Sequence, residues 1–476
     1  MRFHFNKNWI GSSLRLEDNQ EKNTATHQLS TLSQRFSEYG FFAGRGDSTK
    51  VFVELGYLKR TNDSLQKGLI ERVNTSQTFV LKSKLIQTKK SDLSVYMNYR
   101  IFDFVTNTKQ KESSLNSRIL YNNQFFNQLI QSTTVYETNS GTIPQQEFTY
   151  LEVAAGHGIY TWNDYNSNGI QELQEFEVAP FFDQAKYIRV FLPNRIYIKT
   201  NQNKFSQSLV INPNQWQNEN GIKKILSYFY NQTSFIIDRK AKNDGDNFDL
   251  NPFNSSQKNA LGLNSNFRNS LFYNRGKQHH SVTYTYLQNN AKNLLSIGSQ
   301  EATNASHQLQ YNHLYQKSWL LGCFFKTIKT SMLSENFPDK NYVINGYLIG
   351  PKISYLFSKN TSLDVFFELQ NKENQIGNFE TLLQNRLGTS FSYAGDKKIT
   401  LNGELSFYQN KFSGNAFSSV GFQMLEGLQA GQNLTWRLLL QKNLTQFLDV
   451  NLNYQGRKSQ SSQTIHTGNI QLRAYF

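Results

Sequence analysis

Apolar and polar residues take turns along this chain in segments of about ten residues. Between Leu363 and Gln370, the side chains of Leu363, Val365, Phe367 and Leu369 share one face of an extended backbone, and Asp364, Glu368 and Gln370 share the other. A helix would mix the two sets, because its side chains repeat every ~3.6 residues and not every second one. The same alternation runs through Ile399 to Phe407, Leu448 to Gln455, Leu93 to Tyr99 and Val51 to Tyr57. Such segments recur from Phe3 to Phe476 and predict roughly 20 strands.

Short polar stretches at Lys89 to Ser91, Asn274 to Lys277, Gly395 to Lys397 and Lys442 to Thr445 read as hairpin turns. The connections Glu335 to Tyr342, Asn371 to Glu380 and Gln409 to Phe422 are longer and polar. Short turns alternating with long loops predict an all-β fold, a transmembrane antiparallel up-and-down β-barrel with short periplasmic turns and longer extracellular loops. A ring of that size is too wide for side chains to fill, so its lumen holds water or a plug. A propeller or solenoid needs a repeated motif, which the chain lacks, and a soluble sandwich array fits successive hairpins less well.

Composition supports the membrane reading. Aromatics make up 14% of the 476 residues, with 37 Phe and 25 Tyr against 7 Pro, which excludes wholesale disorder. No apolar run reaches the roughly 20 residues of a transmembrane helix, so any crossing is made by strands. The single cysteine, Cys323, lies between Trp319 and Phe325 and reads as a small apolar strand residue. Met1 to Lys7 lacks the apolar core of a secretory signal, so the sequence is expected to be the mature or C-terminal part of a longer precursor.

The net charge of +15 is spread along the chain, in pairs such as Lys89-Lys90, Lys223-Lys224 and Lys397-Lys398. That distribution suits a solvated rim beside anionic outer-membrane lipid and lipopolysaccharide and does not form a nucleic-acid groove. At the C-terminus, Gly468, Ile470, Leu472, Ala474 and Phe476 fall on one face. This resembles the closing strand that the outer-membrane assembly machinery engages, although Ala474 is smaller than the aromatic usual two places from the end. The resemblance implies that machinery as a partner through Gly468 to Phe476, with Phe476 as the natural terminus.

One motif is sharp. Asp164 to Glu175 fits D-x-[DN]-x-[DN]-G-x5-E. Ca²⁺ is a hard cation that takes several oxygens, and this spacing offers Asp164, Asn166, Asn168, the carbonyl of Ile170, Glu172 and a bidentate Glu175, with Gly169 making the turn. Three carboxylates and two amides predict weak binding, in the range of extracellular modules. The alternative is an acidic, Asn- and Gly-rich turn that binds nothing. The flanks, Gly156 to Trp162 before and Phe176 to Pro180 and Tyr187 to Phe191 after, carry a resemblance over 156–200 to large, largely uncharacterised outer-membrane proteins of the Bacteroidota. It implies the C-terminal barrel of a longer surface protein, with Asp164, Asn166, Asn168 and Glu175 as ligands and no catalytic residue. The expected organisation is a single barrel over 1–476 with an inserted loop at 159–193.

Barrel enzymes need a paired nucleophile or base, and here the histidines His157, His307, His313 and His466 stand singly, with His279-His280 beside a turn. Without a nucleophile elbow, phosphate loop or metal-binding spacing, no catalysis is expected and a hydrolase is the least favoured reading. Two functions remain: a channel, transporter or translocation component with a calcium-stabilised loop, or a non-conducting anchor that presents loops to surface or assembly partners.

Overall fold

The computed structural model describes the chain apart from residues 23–25, 48, 106–110, 145–146, 193–196, 244–247, 255–259, 278, 296–297, 396–398, 446 and 476. Strand dominates, and 21 of the strands among the described residues belong to one sheet. Within this sheet the pairings among the described residues are antiparallel and join neighbours in sequence, save one that spans an insertion, so the fold is all-β and up-and-down. Contacts divide the chain into two compact units, the first of Met1–Gln145, Arg195–Ile211 and Thr233–Ser265, the second of Gln146–Asn194, Asn212–Gln232 and Asn266–Phe476.

In the first unit, the strands from Arg2–Phe5 to Ile130–Pro144 pair in order. Tyr197–Ile211 then returns to pair with Ile130–Pro144 across the insertion. A segment at 248–254 folds onto this unit: Arg239 is buried and bonds Asp249 at 2.7 Å, while Phe253 packs its ring 5.3 Å from Phe205.

In the second unit, the strands from Ser281–Leu295 to Ile465–Ala474 pair in order. Their two faces are inverted relative to a water-soluble sheet. Phe367, Leu387 and Phe407, paired in register on three adjacent strands, are 40%, 55% and 41% exposed. On the opposite face Gln384 is 9% and Ser406 0% exposed. Leu309, Phe325 and Ile349 extend the exposed apolar row across three more strands. The polar face satisfies itself sideways: Arg386 bonds Glu368 at 2.9 Å and Glu404 at 2.5 Å, and Gln384 donates to Asn410 at 3.0 Å. The apolar core proper is small, made of Ile344, Leu382, Val420, Met424 and Leu425.

Several boundaries differ from the sequence expectation. Lys442 to Thr445 is no turn but the end of the strand Gly431–Thr445, where an irregularity between Asn443 and Thr445 lets pairing continue to Leu448. The strands Thr361–Asn374 and Ile399–Ser413 run on into segments expected to be loops, and Tyr342 opens the strand Tyr342–Ser358. Past the apolar row both faces are polar, so the period-two signal fades while the backbone ladder continues. The alternation of short and long connections also has exceptions. Gln66 and Leu69 are joined by Lys67 and Gly68 alone, both at positive φ as a tight primed turn requires, and residues 212–228 carry the helix Ile222–Leu226. Asp396, Lys397, Lys398 and Phe476 lie outside the described residues.

Candidate metal loop and enclosed polar face

The insertion forms its own sheet within the second unit, from Glu147–Glu152, Tyr160–Trp162, Phe176–Val178 and Tyr187–Leu192. Buried Phe148, Phe176, Ala185 and Tyr187 make its core, and Tyr150 stacks on Phe176 at 4.0 Å. Each fully buried aromatic contributes about 1.5–3 kcal/mol, enough to fold a small sheet against a larger body. Burial pushes the Tyr150 phenol up to about 12, with Tyr160 beside it adding to the rise. Tyr165 is raised too, by burial first and by Glu177 next.

Trp162 and Phe176 are cross-strand partners, and the ten-odd residues between them form the loop that holds the acidic motif. Its ends are closed by Asn163 N donating to Glu175 O at 3.0 Å. Within it, Asp164 accepts from the amides of Asn168 at 3.1 Å and Gly169 at 2.8 Å. Asn166 Oδ1 accepts from Asn168 N at 3.0 Å, and Asn168 Oδ1 from Ile170 N at 2.6 Å. Each of these oxygens keeps a second lone pair. Gly169 has φ 73°, a left-handed turn that only glycine takes without strain. Glu172 accepts from Asn166 Nδ2 at 2.8 Å and opens the 3-10 turn Leu173–Glu175. The structure thus gathers Asp164, Asn166, Asn168 and Glu172 into one bonded loop, with no flanking α-helix among the described residues.

Glu175 is 1% exposed. Its Oε2 accepts from Trp162 Nε1 at 2.8 Å and from Glu172 N at 3.4 Å, so the carboxylate turns back toward the loop. Its Oε1 is buried with no hydrogen-bond partner among the described residues. A buried carboxylate oxygen is costly unless a donor or a cation meets it, so this residue fits a bidentate calcium ligand. Among the described residues no three His, Cys, Asp or Glu side chains gather as a metal site; the oxygen set here is mixed, with two asparagines and the Ile170 carbonyl.

Sequence reading missed what the insertion rests on. Lys340 Nζ bonds Phe176 O at 2.9 Å and Glu177 at 3.1 Å. Ser419 Oγ donates to Glu177 at 2.6 Å, and Arg457 holds Asp183 through two contacts. Ser419 starts the helix Ser419–Leu425, a segment expected to be polar loop as far as Phe422. The signal was present: Ser418 caps the helix by accepting from Gly421 N, and Val420 and Met424 stand one turn apart. The helix packs Met424 and Leu425 on Ile344 and Leu382. Beneath it lies a cavity of about 490 Å³ lined by Glu368, Gln370, Lys372, Arg386, Tyr408 and Gln423 among others. Lys372 Nζ reaches up to Glu426 at 2.6 Å and to Met424 O at 3.2 Å.

Six of the eight histidines lie in the second unit, and three of them, His279, His280 and His313, come together there. His313 Nδ1 lies 3.0 Å from His280 Nδ1 and 2.6 Å from the His279 carbonyl, while His307 and His466 each meet a tyrosine hydroxyl at 2.8 Å. His157 sits in the turn before Tyr160–Trp162, its amide donating to Ala154 O at 3.0 Å.

No protein-family profile and no curated protein sequence matches the chain. Among solved structures it is similar to the siderophore receptor PirA of Pseudomonas aeruginosa, with 10% identity, 98% of this chain and 73% of that one covered, and a TM-score of 0.42. The FrpB iron transporter of Neisseria meningitidis, F3-3 variant, gives 9% identity, coverage of 99% and 77%, and a TM-score of 0.37. The copper transporter OprC gives 8%, 94% and 69%, and 0.36. Likeness of this order carries no argument by itself, and the functional reading rests on the strand faces.

Proposed function

We propose that the chain is a β-barrel of the outer membrane that serves as a transport passage, a channel, transporter or translocation component, with a calcium-held loop over its second unit. The observation that carries this reading is the inverted sheet, with Phe367, Leu387 and Phe407 outward and Gln384 and Ser406 enclosed. In water, exposed apolar area costs about 25 cal/mol per Å², and contiguous patches of this extent are rare on soluble monomers. In lipid the cost vanishes, and the backbone then has to satisfy its own hydrogen bonds by closing the sheet into a ring. The polar face of Glu368, Gln370, Lys372 and Arg386 suits a wetted interior.

Asp164, Asn166, Asn168, Glu172 and Glu175, with the Ile170 carbonyl, would hold Ca²⁺, which supplies the positive charge that the enclosed Glu175 oxygen lacks. The helix Ser419–Leu425 and the segment 248–254, each folded onto its own unit, favour a second reading in which the interior is closed and the barrel is an anchor or scaffold. Refolding into planar bilayers separates the two. Stable single-channel currents support a passage, inserted protein without current supports the scaffold, and failure to insert into lipid overturns both.

A further inference from the structure

The metal loop with the strand that follows it, and the covering helix with the residues that lead into it, meet at two points in the second unit. Tyr165, which stands between the candidate ligands Asp164 and Asn166, packs edge-on against Phe417 with ring centroids 5.6 Å apart. Glu177, two residues beyond Glu175, accepts from Ser419 Oγ, the first residue of the helix, at 2.6 Å. The same carboxylate pairs with Lys340 at 3.1 Å, and Lys340 also bonds the carbonyl of Phe176. Tyr165, Phe176 and Glu177, which make these contacts, each lie within two positions of a candidate ligand.

We infer that the loop is a calcium-dependent staple, which holds the helix Ser419–Leu425 over the cavity when the metal is bound and releases it when the metal is withdrawn. The inference rests on the calcium reading of Asp164 to Glu175. Without a cation, one buried oxygen of the Glu175 carboxylate meets no hydrogen-bond donor among the described residues, and the low-energy response is for the loop to open toward water. Opening moves Tyr165 away from Phe417 and loosens the strand Phe176–Val178, whose Glu177 is the acceptor for Ser419 and Lys340. Closing the loop on the metal restores both contacts. Two ends of one short segment are fixed together, so a weak site is sufficient to shift a local equilibrium by its own binding energy.

The test uses the refolded full chain in detergent micelles, with calcium alone as the ligand, and two separate readouts. Calorimetry measures binding, and limited chymotrypsin digestion measures opening of the segment that holds Phe417 and Phe422. Saturating calcium is expected to slow cleavage there about fivefold to tenfold while leaving cleavage at residues 248–254 unchanged. Glu175→Gln is expected to lose both binding and protection. Glu177→Ala is expected to keep binding and lose most of the protection, which a purely structural defect of the loop would not do. Calcium that binds but leaves cleavage at 417–422 unaltered overturns the staple and spares the metal site; no binding at millimolar calcium overturns both.

Discussion

The indole nitrogen of Trp162 donates to Oε2 of Glu175 at 2.8 Å, and the other oxygen of that carboxylate is enclosed with no partner among the described residues. A tryptophan in contact with a candidate ligand is a built-in reporter. Terbium, which takes calcium sites, should show luminescence sensitised by Trp162 in the wild type. Glu175→Gln keeps the side-chain volume and the indole contact but removes the charge, and should weaken binding at least about tenfold, equivalent to ~1.4 kcal/mol. Equal luminescence titrations for the two proteins would remove Glu175 from the ligand set.

The outward row is expected to reject charge. Leu387 pairs with Phe367 on one side and Phe407 on the other. Leu387→Arg should destabilise the protein folded in lipid vesicles by about 2–4 kcal/mol, if the row lies near the bilayer centre. Thr330→Arg, on the cavity wall, should cost far less. Urea unfolding in vesicles measures both, and equal losses would contradict the assignment of lipid and water faces.

Met424, on the buried side of the covering helix, is 0% exposed. Met424→Ala should lower the local stability of Ser419–Leu425 by about 2–5 kcal/mol, because the truncated side chain leaves a hole against Ile344 and Leu382. Amide exchange of those residues should quicken while that of the strands Thr361–Asn374 and Thr381–Gly395 stays slow. If the chain conducts, the same substitution should raise the open probability in planar bilayers.

Burial raises the Tyr150 phenol to about 12 from its ordinary value of 10.0. The folded insertion therefore holds a proton that the unfolded chain releases first as the solution becomes alkaline. Its contribution to stability is complete below pH 10 and is lost as the pH climbs through about 12. Tyrosinate absorbance followed alongside circular dichroism should show this group titrating late, and Tyr150→Phe should flatten the alkaline slope. A Tyr150 that titrates with the exposed tyrosines would mean that its stacking on Phe176 is not maintained in solution.

Cys323, a small apolar strand residue by its sequence surroundings, is an exposed residue on the strand Trp319–Ser334. The metal motif was legible because its spacing encodes a local loop, and Asp164, Asn166, Asn168 and Gly169 bond one another within a few residues. The enclosure of Glu175 was not legible, since it depends on Trp162 from the preceding strand and on the packing of the inserted sheet.

By itself, the sequence determined the strands and which residues share a face, because side chains alternate across an extended backbone whatever surrounds it. It determined the loop chemistry for the same local reason. Only the tertiary structure decided that the apolar face is the exposed one, that strands such as Thr361–Asn374 outrun their apolar pattern, and that Ser419 to Leu425 leaves the loop to cover Lys372 and Gln370. Those outcomes depend on pairings between residues far apart in the chain, such as Glu177 with Ser419 and Asp183 with Arg457, and a one-dimensional pattern carries no information about which distant partners meet.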